Sequence, residues 1–386
     1  MSHTTLITDV RHFEHPQEDG AVSMLIRGRH IEAILPAGQE RPGVERVINA
    51  EGRLAIPGLI DLHIHGAGGV DTLSHTAEEV RTMSTTLARL GTTGYLATAL
   101  VLPDGENSHL SNLAKSWEAG TDGARLLGLH LEGPFVNPDK RGGMFEEAVH
   151  PPSLDSLKAL LDLTRGGTRM MTIATELDEE FRLSRHLMDA GVIPSLGHTN
   201  ATYEETGAAI DAGITHITHL FNAMPPLHHR NPGPLLAIIE SQEVTVQLIN
   251  DGLHVRPEIV RWIGDVLGHR RIIGITDGMQ AMGLPPGRYT YRGREFETEN
   301  GTASYLNGTL IGTTRSLLEL MLNYQRFTGC TLPEAVHSVT SQPARVLGIE
   351  DHKGSLEAGK DADIVLLNDD RSVWLAMVEG EVVFRR

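Results

Sequence analysis

From residue 58 onward the chain repeats one pattern: a short apolar run, a turn, then an amphipathic stretch with helical period. The apolar runs fall at 58–64, 94–101, 126–131, 170–175, 192–197, 214–219, 244–249 and 271–276. Helical stretches at 76–90, 153–163, 178–190, 202–212 and 256–267 lie between them, and another at 314–328 comes after the last run. Thr76-Ala77-Glu78-Glu79 and Thr202-Tyr203-Glu204-Glu205 read as capping-box helix starts. The connections after the third and eighth runs are longer. Eight strands, each leading towards a helix, predict an α/β fold, a (β/α)8 TIM-type barrel. An open doubly wound sheet is the alternative, but no strand leads into the G-x-G-x-x-G turn of that class.

The two ends read differently. Residues 1 to about 56 and the segment after Leu347 offer short strands broken by Gly, Pro and charged residues, such as Thr5-Leu6-Ile7-Thr8 and Ala362-Asp363-Ile364-Val365-Leu366-Leu367. Neither end makes a domain alone. We expect one small β-sandwich domain from 1–56 and 347–386, flanking a catalytic barrel of 57–346.

A formal charge of -17 argues against nucleic acid or an anionic membrane as partner, while leaving room for a local basic pocket. Cys330 is the single cysteine, so no intrachain disulfide forms, which fits a reducing compartment. The start, Met1-Ser2-His3-Thr4-Thr5, lacks the basic and apolar regions of a signal peptide. No apolar run approaches the ~20 residues of a membrane span. The expectation is a soluble cytoplasmic protein.

The chemistry is read from the residues at each strand's C-terminal end, because a barrel of this type carries its site at that rim. Strand one ends in Leu62-His63-Ile64-His65-Gly66. Residues two apart on a strand share a face, so His63 and His65 point the same way and suit a divalent metal such as zinc. Strand three runs into Glu132, strand five ends in His198, strand six in His219 and strand eight in Asp277; strand seven leads to a loop with His254. Metal-ligand side chains and a carboxylate thus reach one rim from five strands. His130 and His216 sit within strands and read as inner-barrel residues supporting the ligands. Asp61 either orients a histidine or caps its strand.

Pro57-Gly58-Leu59-Ile60-Asp61-Leu62-His63-Ile64-His65-Gly66 resembles the opening motif of the metal-dependent amidohydrolase superfamily, and Gly354 to Val365 resembles its closing motif. Within it, Leu129-His130-Leu131-Glu132-Gly133-Pro134-Phe135, Leu196-Gly197-His198-Thr199-Asn200-Ala201, Thr218-His219-Leu220-Phe221-Asn222-Ala223-Met224, Asp251-Gly252-Leu253-His254-Val255 and Ile275-Thr276-Asp277-Gly278-Met279 together are similar to the N-acetylglucosamine-6-phosphate deacetylase family. The resemblance implies hydrolysis of the N-acetyl group of a phosphorylated amino sugar, a step of amino-sugar catabolism or cell-wall sugar recycling. It implies Glu132, His198 and His219 as ligands of a principal divalent metal, zinc before iron, manganese or cobalt. Because His63 and His65 are kept, it implies a second ion with Glu132 bridging. Asp277 would be the catalytic acid/base. Gly143, Asn222, Ala223, Arg230, His254 and the turn Leu310-Ile311-Gly312 would hold the sugar phosphate, with Arg230 serving a neighbouring subunit of a homodimer.

One position departs from the family: Lys140-Arg141-Gly142-Gly143-Met144 carries Met144 where a histidine usually reaches the substrate. Methionine cannot donate that hydrogen bond. The expectation is that a second metal, or His150, His228 or His229, polarises the carbonyl instead. Among other readings, amidohydrolases such as dihydroorotase or adenine deaminase place a lysine after strand four, where this chain has Ala174-Thr175-Glu176. An N-acetylgalactosamine 6-phosphate deacetylase and a non-catalytic scaffold relative complete the alternatives.

Overall fold

The computed structural model describes residues 3–14, 20–36, 38, 43–73, 76–102 and 107–386. Met1 and Ser2 of the N-terminal stretch lie outside the described residues. The chain opens with β1 (Thr4–His12), β2 (Val22–Arg27), β3 (His30–Pro36) and β4 (Arg46–Pro57). Then come β5 (Leu59–Ile64), the short ribbon of β6 (Gly66–Ala67) and β7 (Val70–Asp71), β8 (Thr92–Leu100), β9 (Arg125–Glu132), β10 (Thr168–Ile173), β11 (Ile193–Leu196), β12 (His216–Ile217), β13 (Thr245–Leu248) and β14 (Ile272–Gly274). β15 (Arg288–Tyr291), β16 (Arg294–Glu299), β17 (Thr302–Tyr305) and β18 (Leu310–Thr313) are next, and β19 (Ile364–Leu367), β20 (Val373–Val378) and β21 (Glu381–Arg385) end the chain.

Strands β5 and β8 to β14 lie side by side in chain order, every pair parallel. They are the eight runs read from the sequence, and they form the (β/α)8 barrel. All residues of β5 and β8 are buried, as expected of parallel strands covered on both faces. The seam between the first and last strands is closed by specific bonds. The peptide N–H of Asp277 donates to His63 O (2.8 Å) and that of His65 to Gly278 O (2.8 Å). The buried Asp61 carboxylate accepts from the Thr276 hydroxyl (2.6 Å), the Thr276 N–H (3.3 Å) and the His63 N–H (3.2 Å). Asp61 therefore stitches the barrel shut beneath the histidine pair.

Both capping boxes read from the sequence are present, Thr76 with Glu79 and Thr202 with Glu205. Helices Ser108–Ala119, Gly233–Glu240, Leu332–His337 and Ser341–Val346 add to those expected. The long connection after β14 folds into an antiparallel sheet, β15-β16-β17-β18, and its last strand returns to the barrel mouth. There Thr313 N–H donates to Asp277 O (3.0 Å) and Met279 N–H to Thr313 O (2.8 Å). Gly312 has a φ of +137°, and a Cβ there would collide with the carbonyl oxygen of Asp277. Only glycine permits this approach.

The terminal strands make one seven-stranded ladder, β21-β20-β19-β4-β1-β2-β3. β4 joins the two ends, parallel to β1 and antiparallel to β19. Apolar side chains cover both faces: Ile7, Met24, Ile48 and Leu375 belong to a core continuous with the barrel, and Leu6, Leu25 and Leu35 form a separate cluster. This is the small β domain from both termini. The closing motif anchors it. Lys353 Nζ lies 2.7 Å from Asp363, 3.0 Å from Asp361 and 3.5 Å from Glu379, and Arg29 makes a two-pronged bond to Asp361 at 2.9 Å.

Candidate active site

Glu132 ends β9 and points across the mouth of the barrel. Its Oε1 lies 3.1 Å from His198 Nε2, 3.2 Å from His219 Nε2 and 3.4 Å from His63 Nε2; its Oε2 lies 3.3 Å from His65 Nε2. Asp277 Oδ1 faces the strand-one pair at 3.5 Å from His63 Nε2 and 3.3 Å from His65 Nε2. Two overlapping groups result, Glu132-His198-His219 and His63-His65-Asp277, with Glu132 touching both. All five candidate ligands and Asp277, drawn from the first barrel strand to the last, meet at one rim.

Hydrogen bonding on the far side of the rings fixes what these atoms can be. His198 Nδ1–H donates to Lys140 O (2.7 Å) and His63 Nδ1–H donates to Gln247 Oε1 (3.1 Å). Each Nε2 is therefore a bare lone pair. Those lone pairs face a carboxylate, and His198 Nε2 also faces His219 Nε2 at 3.0 Å. Acceptors set against acceptors repel unless a cation lies between them. Burial opposes a charge on His65, yet Asp277 and Glu132 outweigh it and push that imidazole up to about 10. The buried anions thus demand positive charge. Imidazole nitrogens with one or two carboxylates at this spacing fit a divalent metal of the zinc type.

Gln247 links the inner layer to the site. It accepts from His63 and donates from Nε2 to His216 Nε2 (3.1 Å), whose Nδ1–H donates to Thr245 Oγ1 (2.8 Å). His130 donates to Leu62 O (3.1 Å) and meets Thr172 Oγ1 at 2.8 Å, its ring edge-on to His63. Burial and the neighbouring His63 push His216 down to about 3 and hold His130 well below the usual range, so both stay neutral supports. Burial would raise the Asp277 carboxyl, but His63 and His65 outweigh it and hold it below the ordinary carboxylate range.

Three of these residues occupy the left-handed backbone region: His198 (φ 47°), His219 (φ 24°) and Asp277 (φ 47°). Such conformations cost ~1–3 kcal/mol each in a non-glycine residue and persist where surrounding contacts enforce them. Here they turn the side chains inward just as each strand ends. Asn137 N–H bonds His198 O (2.9 Å), and Asn222 N–H bonds His219 O (3.0 Å).

A cleft opens above the rim. Gly143, Asn222, Ala223, His254, Leu310, Ile311 and Gly312 line it together with the site side chains. His254 is held by a 2.6 Å bond to Asp251. Arg230 does not reach this cleft; it is exposed, 2.8 Å from His229. His150, His228 and His229 also lie outside the lining, which leaves none of them beside the substrate space of its own chain. Met144 is buried in the cleft wall, in a cluster with Phe145, Met279 and Tyr291. Sequence reasoning missed Leu100, Met279, Tyr291 and Tyr305. The tyrosines come from the sheet after β14, whose charged, turn-rich sequence gives no barrel signal.

The model of the amidohydrolase family matches residues 54–383 of this chain. The chain belongs to the amidohydrolase family. This amidohydrolase is 37% identical to the N-acetylglucosamine-6-phosphate deacetylase of Bacillus subtilis over 333 residues, covering 85% of this chain and 84% of that protein. It is 33% identical to the N-acetylgalactosamine-6-phosphate deacetylase of Escherichia coli O157:H7 over 337 residues, 87% of this chain and 89% of that one. A point mutant of N-acetyl-D-glucosamine-6-phosphate deacetylase from Mycobacterium smegmatis, solved in complex with N-acetyl-D-glucosamine-6-phosphate, superposes with a TM-score of 0.86 at 31% identity and 99% coverage of both chains. The Pasteurella multocida deacetylase superposes with a TM-score of 0.89 at 28% identity, covering 98% of this chain and 99% of that one.

Proposed function

We propose that this amidohydrolase removes the N-acetyl group of N-acetylglucosamine 6-phosphate, releasing glucosamine 6-phosphate and acetate. The observation that carries this reading is Asp277 Oδ1 set 3.3–3.5 Å from two histidines that share a rim with Glu132, His198 and His219. Glu132, His198 and His219 would hold one divalent ion and His63 and His65 a second, with Glu132 between them; zinc is the first candidate. A divalent cation in this position supplies a Lewis acid and lowers the pKa of water from 15.7 towards ~7.

The chain's own groups do the rest. Asp277 takes the proton of the attacking water and returns it to the amine nitrogen as the C–N bond breaks. Beside a bound cation, Asp277 would stay ionised until the water gives up its proton. Gly143, Asn222, Ala223 and His254 position the sugar, and Leu310-Ile311-Gly312 closes over it. Gly312 packs on the Asp277 carbonyl, so the substrate wall lies directly against the proton carrier.

A phosphate needs a cation, and the cleft lining has no lysine or arginine among the described residues. Arg230 is exposed on the loop that carries Leu227, and Leu227 lines an apolar surface with Ile259 and Trp262, each at least 37% exposed. We therefore assign it to the phosphate of a neighbouring copy in a homodimer, where its planar fork binds two oxygens. We assign the terminal segments 1–56 and 347–386 to a small β domain that shares a core with the catalytic barrel of 57–346. A phosphorylated sugar does not cross membranes unaided, so the compartment proposed is the cytoplasm; no helix of the described residues is long and apolar enough to span one.

The galacto epimer is the second reading, favoured by the 33% identity to the E. coli N-acetylgalactosamine-6-phosphate deacetylase. Acetate release from the gluco and galacto N-acetyl hexosamines, each with and without the 6-phosphate, separates them. A higher kcat/KM on the gluco phosphate supports the proposal, and no acetate from either phosphate overturns it.

A further inference from the structure

We propose that His269, Cys330 and Glu334 form a second cation site, for a borderline-soft divalent metal of the zinc class, at the end of β14 opposite the cleft. One ligand atom from each residue lies within 4.8 Å of the other two, and all three side chains are half-buried. Half-burial leaves the cluster reachable from solvent. The three come from different segments. His269 lies in the turn His269–Arg271 that precedes β14. Cys330 comes just after helix Leu317–Thr328, and Glu334 sits in helix Leu332–His337.

Each ligand is held before any metal arrives. Tyr324, itself fully buried, places its hydroxyl 2.7 Å from His269 Nδ1 with the two rings edge-on, which sets the imidazole plane. Gly329, at φ 74°, turns the chain at the helix end so that Cys330 faces inward, and the Cys330 N–H bonds Thr328 Oγ1 (3.2 Å). Glu334 is fixed by its capping box, in which Oε2 accepts from the N–H and hydroxyl of Thr331 at 2.8 Å each. A carboxylate held through Oε2 still has the lone pairs of Oε1 to offer a cation. Pre-set ligands lose little entropy on binding, which favours affinity.

The donor set selects the metal. A thiolate and a carboxylate with a neutral imidazole carry two negative charges, matching one divalent cation. Sulfur and imidazole nitrogen favour zinc over magnesium or calcium. Burial raises the Cys330 thiol, so binding releases its proton to solvent. The candidate ligands of the cleft are imidazoles and carboxylates only, so the two sites differ in kind. A metal here would tie the turn feeding β14 to the two helices packed beside it, and so brace from below the strand that presents Asp277.

The sole cysteine makes the test specific. Cobalt(II) bound to a thiolate gives a near-ultraviolet charge-transfer band that imidazole and carboxylate ligands do not. Titrating the full-length protein with cobalt(II) should develop this band with one equivalent beyond those taken by the cleft, and zinc should abolish it. Zinc should also slow alkylation of Cys330 at least about tenfold. Cys330→Ser should lose the band while deacetylase activity stays unchanged. Glu334→Gln and His269→Gln, checked for folding by circular dichroism, should weaken cobalt binding at least about tenfold, since even supporting residues of a metal site cost that much. The proposal is overturned if the folded protein gives no band at micromolar cobalt. It is overturned equally if the band persists undiminished in Glu334→Gln and His269→Gln, which would mean adventitious binding to a lone thiol. Neither outcome bears on the deacetylase reading, which is scored by acetate release.

Discussion

The peptide nitrogen of Asp277 donates to the carbonyl oxygen of His63 at 2.8 Å, so the proposed proton carrier and the first candidate ligand are rungs of one ladder. The bond closes the barrel and sets the carboxylate 3.5 Å from the imidazole Nε2 in the same step. The barrel seam and the candidate site therefore share one backbone bond. Replacing Asp277 by Asn keeps the backbone bond and the shape while removing the base. The expected loss in kcat is about 10²–10⁴-fold, with KM within a few-fold and metal content unchanged. Steady-state kinetics and elemental analysis of the same preparation check it.

His63 tests the second ion. In His63→Gln the ring that faces both Glu132 and Asp277 is gone, while Glu132, His198 and His219 remain. The variant should bind one equivalent less metal and lose at least about tenfold in kcat. An unchanged rate with one equivalent lost would show that a single ion suffices.

Arg230 is expected to act in trans on the phosphate. Losing a charge-assisted hydrogen bond costs ~1.5–3 kcal/mol, so Arg230→Ala should raise KM for the 6-phosphate about ten- to a hundredfold. The rate on the unphosphorylated sugar should not change. Mixing Arg230→Ala with Asp277→Asn should restore activity, because one mixed-dimer site then combines an intact Asp277 with an intact Arg230. No recovery on mixing would place Arg230 in its own chain's site or outside any.

The closing motif makes a stability prediction with a definite sign. Burial opposes ionisation of Asp361 and Glu379, but Arg29 and Lys353 for the first, and Arg125 and Lys353 for the second, outweigh it and hold both below their ordinary values. A carboxylate depressed in the folded state adds stability above its unfolded pKa of ~4, lost as pH falls through the folded value. Burial pushes the neighbouring Asp363 the other way, which offsets part of the gain. Burial would lower Lys353, yet Asp363 and Asp361 raise it, so its contribution is full below ~10 and fades at higher pH. Urea midpoints should therefore fall below about pH 4. Lys353→Met leaves Asp363 without its cation, while Asp361 keeps Arg29 and Glu379 keeps Arg125; it should cost ~3–5 kcal/mol near neutral pH and move the acid limb upward. An unchanged acid limb would show that Lys353 does not set these pKa values.

Much of the site is legible in the sequence because a barrel turns strand ends into neighbours. Once eight apolar runs are counted, His63, His65, Glu132, His198, His219 and Asp277 need no further contact information to converge. Asp61 is ambiguous for the opposite reason: its partner Thr276 follows the last barrel strand, and a lone Asp beside a histidine motif carries no sign of a seam. Gln247 is unreadable as well, since a glutamine inside a strand signals nothing until His63 and His216 flank it. Tyr291 and Tyr305 arrive on strands of four residues each, too short for periodicity to show. The left-handed turns at His198, His219 and Asp277 are uncommon in non-glycine residues, and no local sequence signal announces them.

Metal reconstitution tests the central claim most directly. Protein stripped with a chelator, dialysed and shown to be folded should release no acetate from N-acetylglucosamine 6-phosphate, and activity should return in proportion to added zinc until the cleft is filled. Glu132→Gln, which removes the carboxylate shared by both ligand groups, should not recover under the same titration. Full activity in the metal-free protein, or full recovery by Glu132→Gln, would contradict the proposal that Glu132, His198 and His219 hold the ion on which this hydrolysis depends.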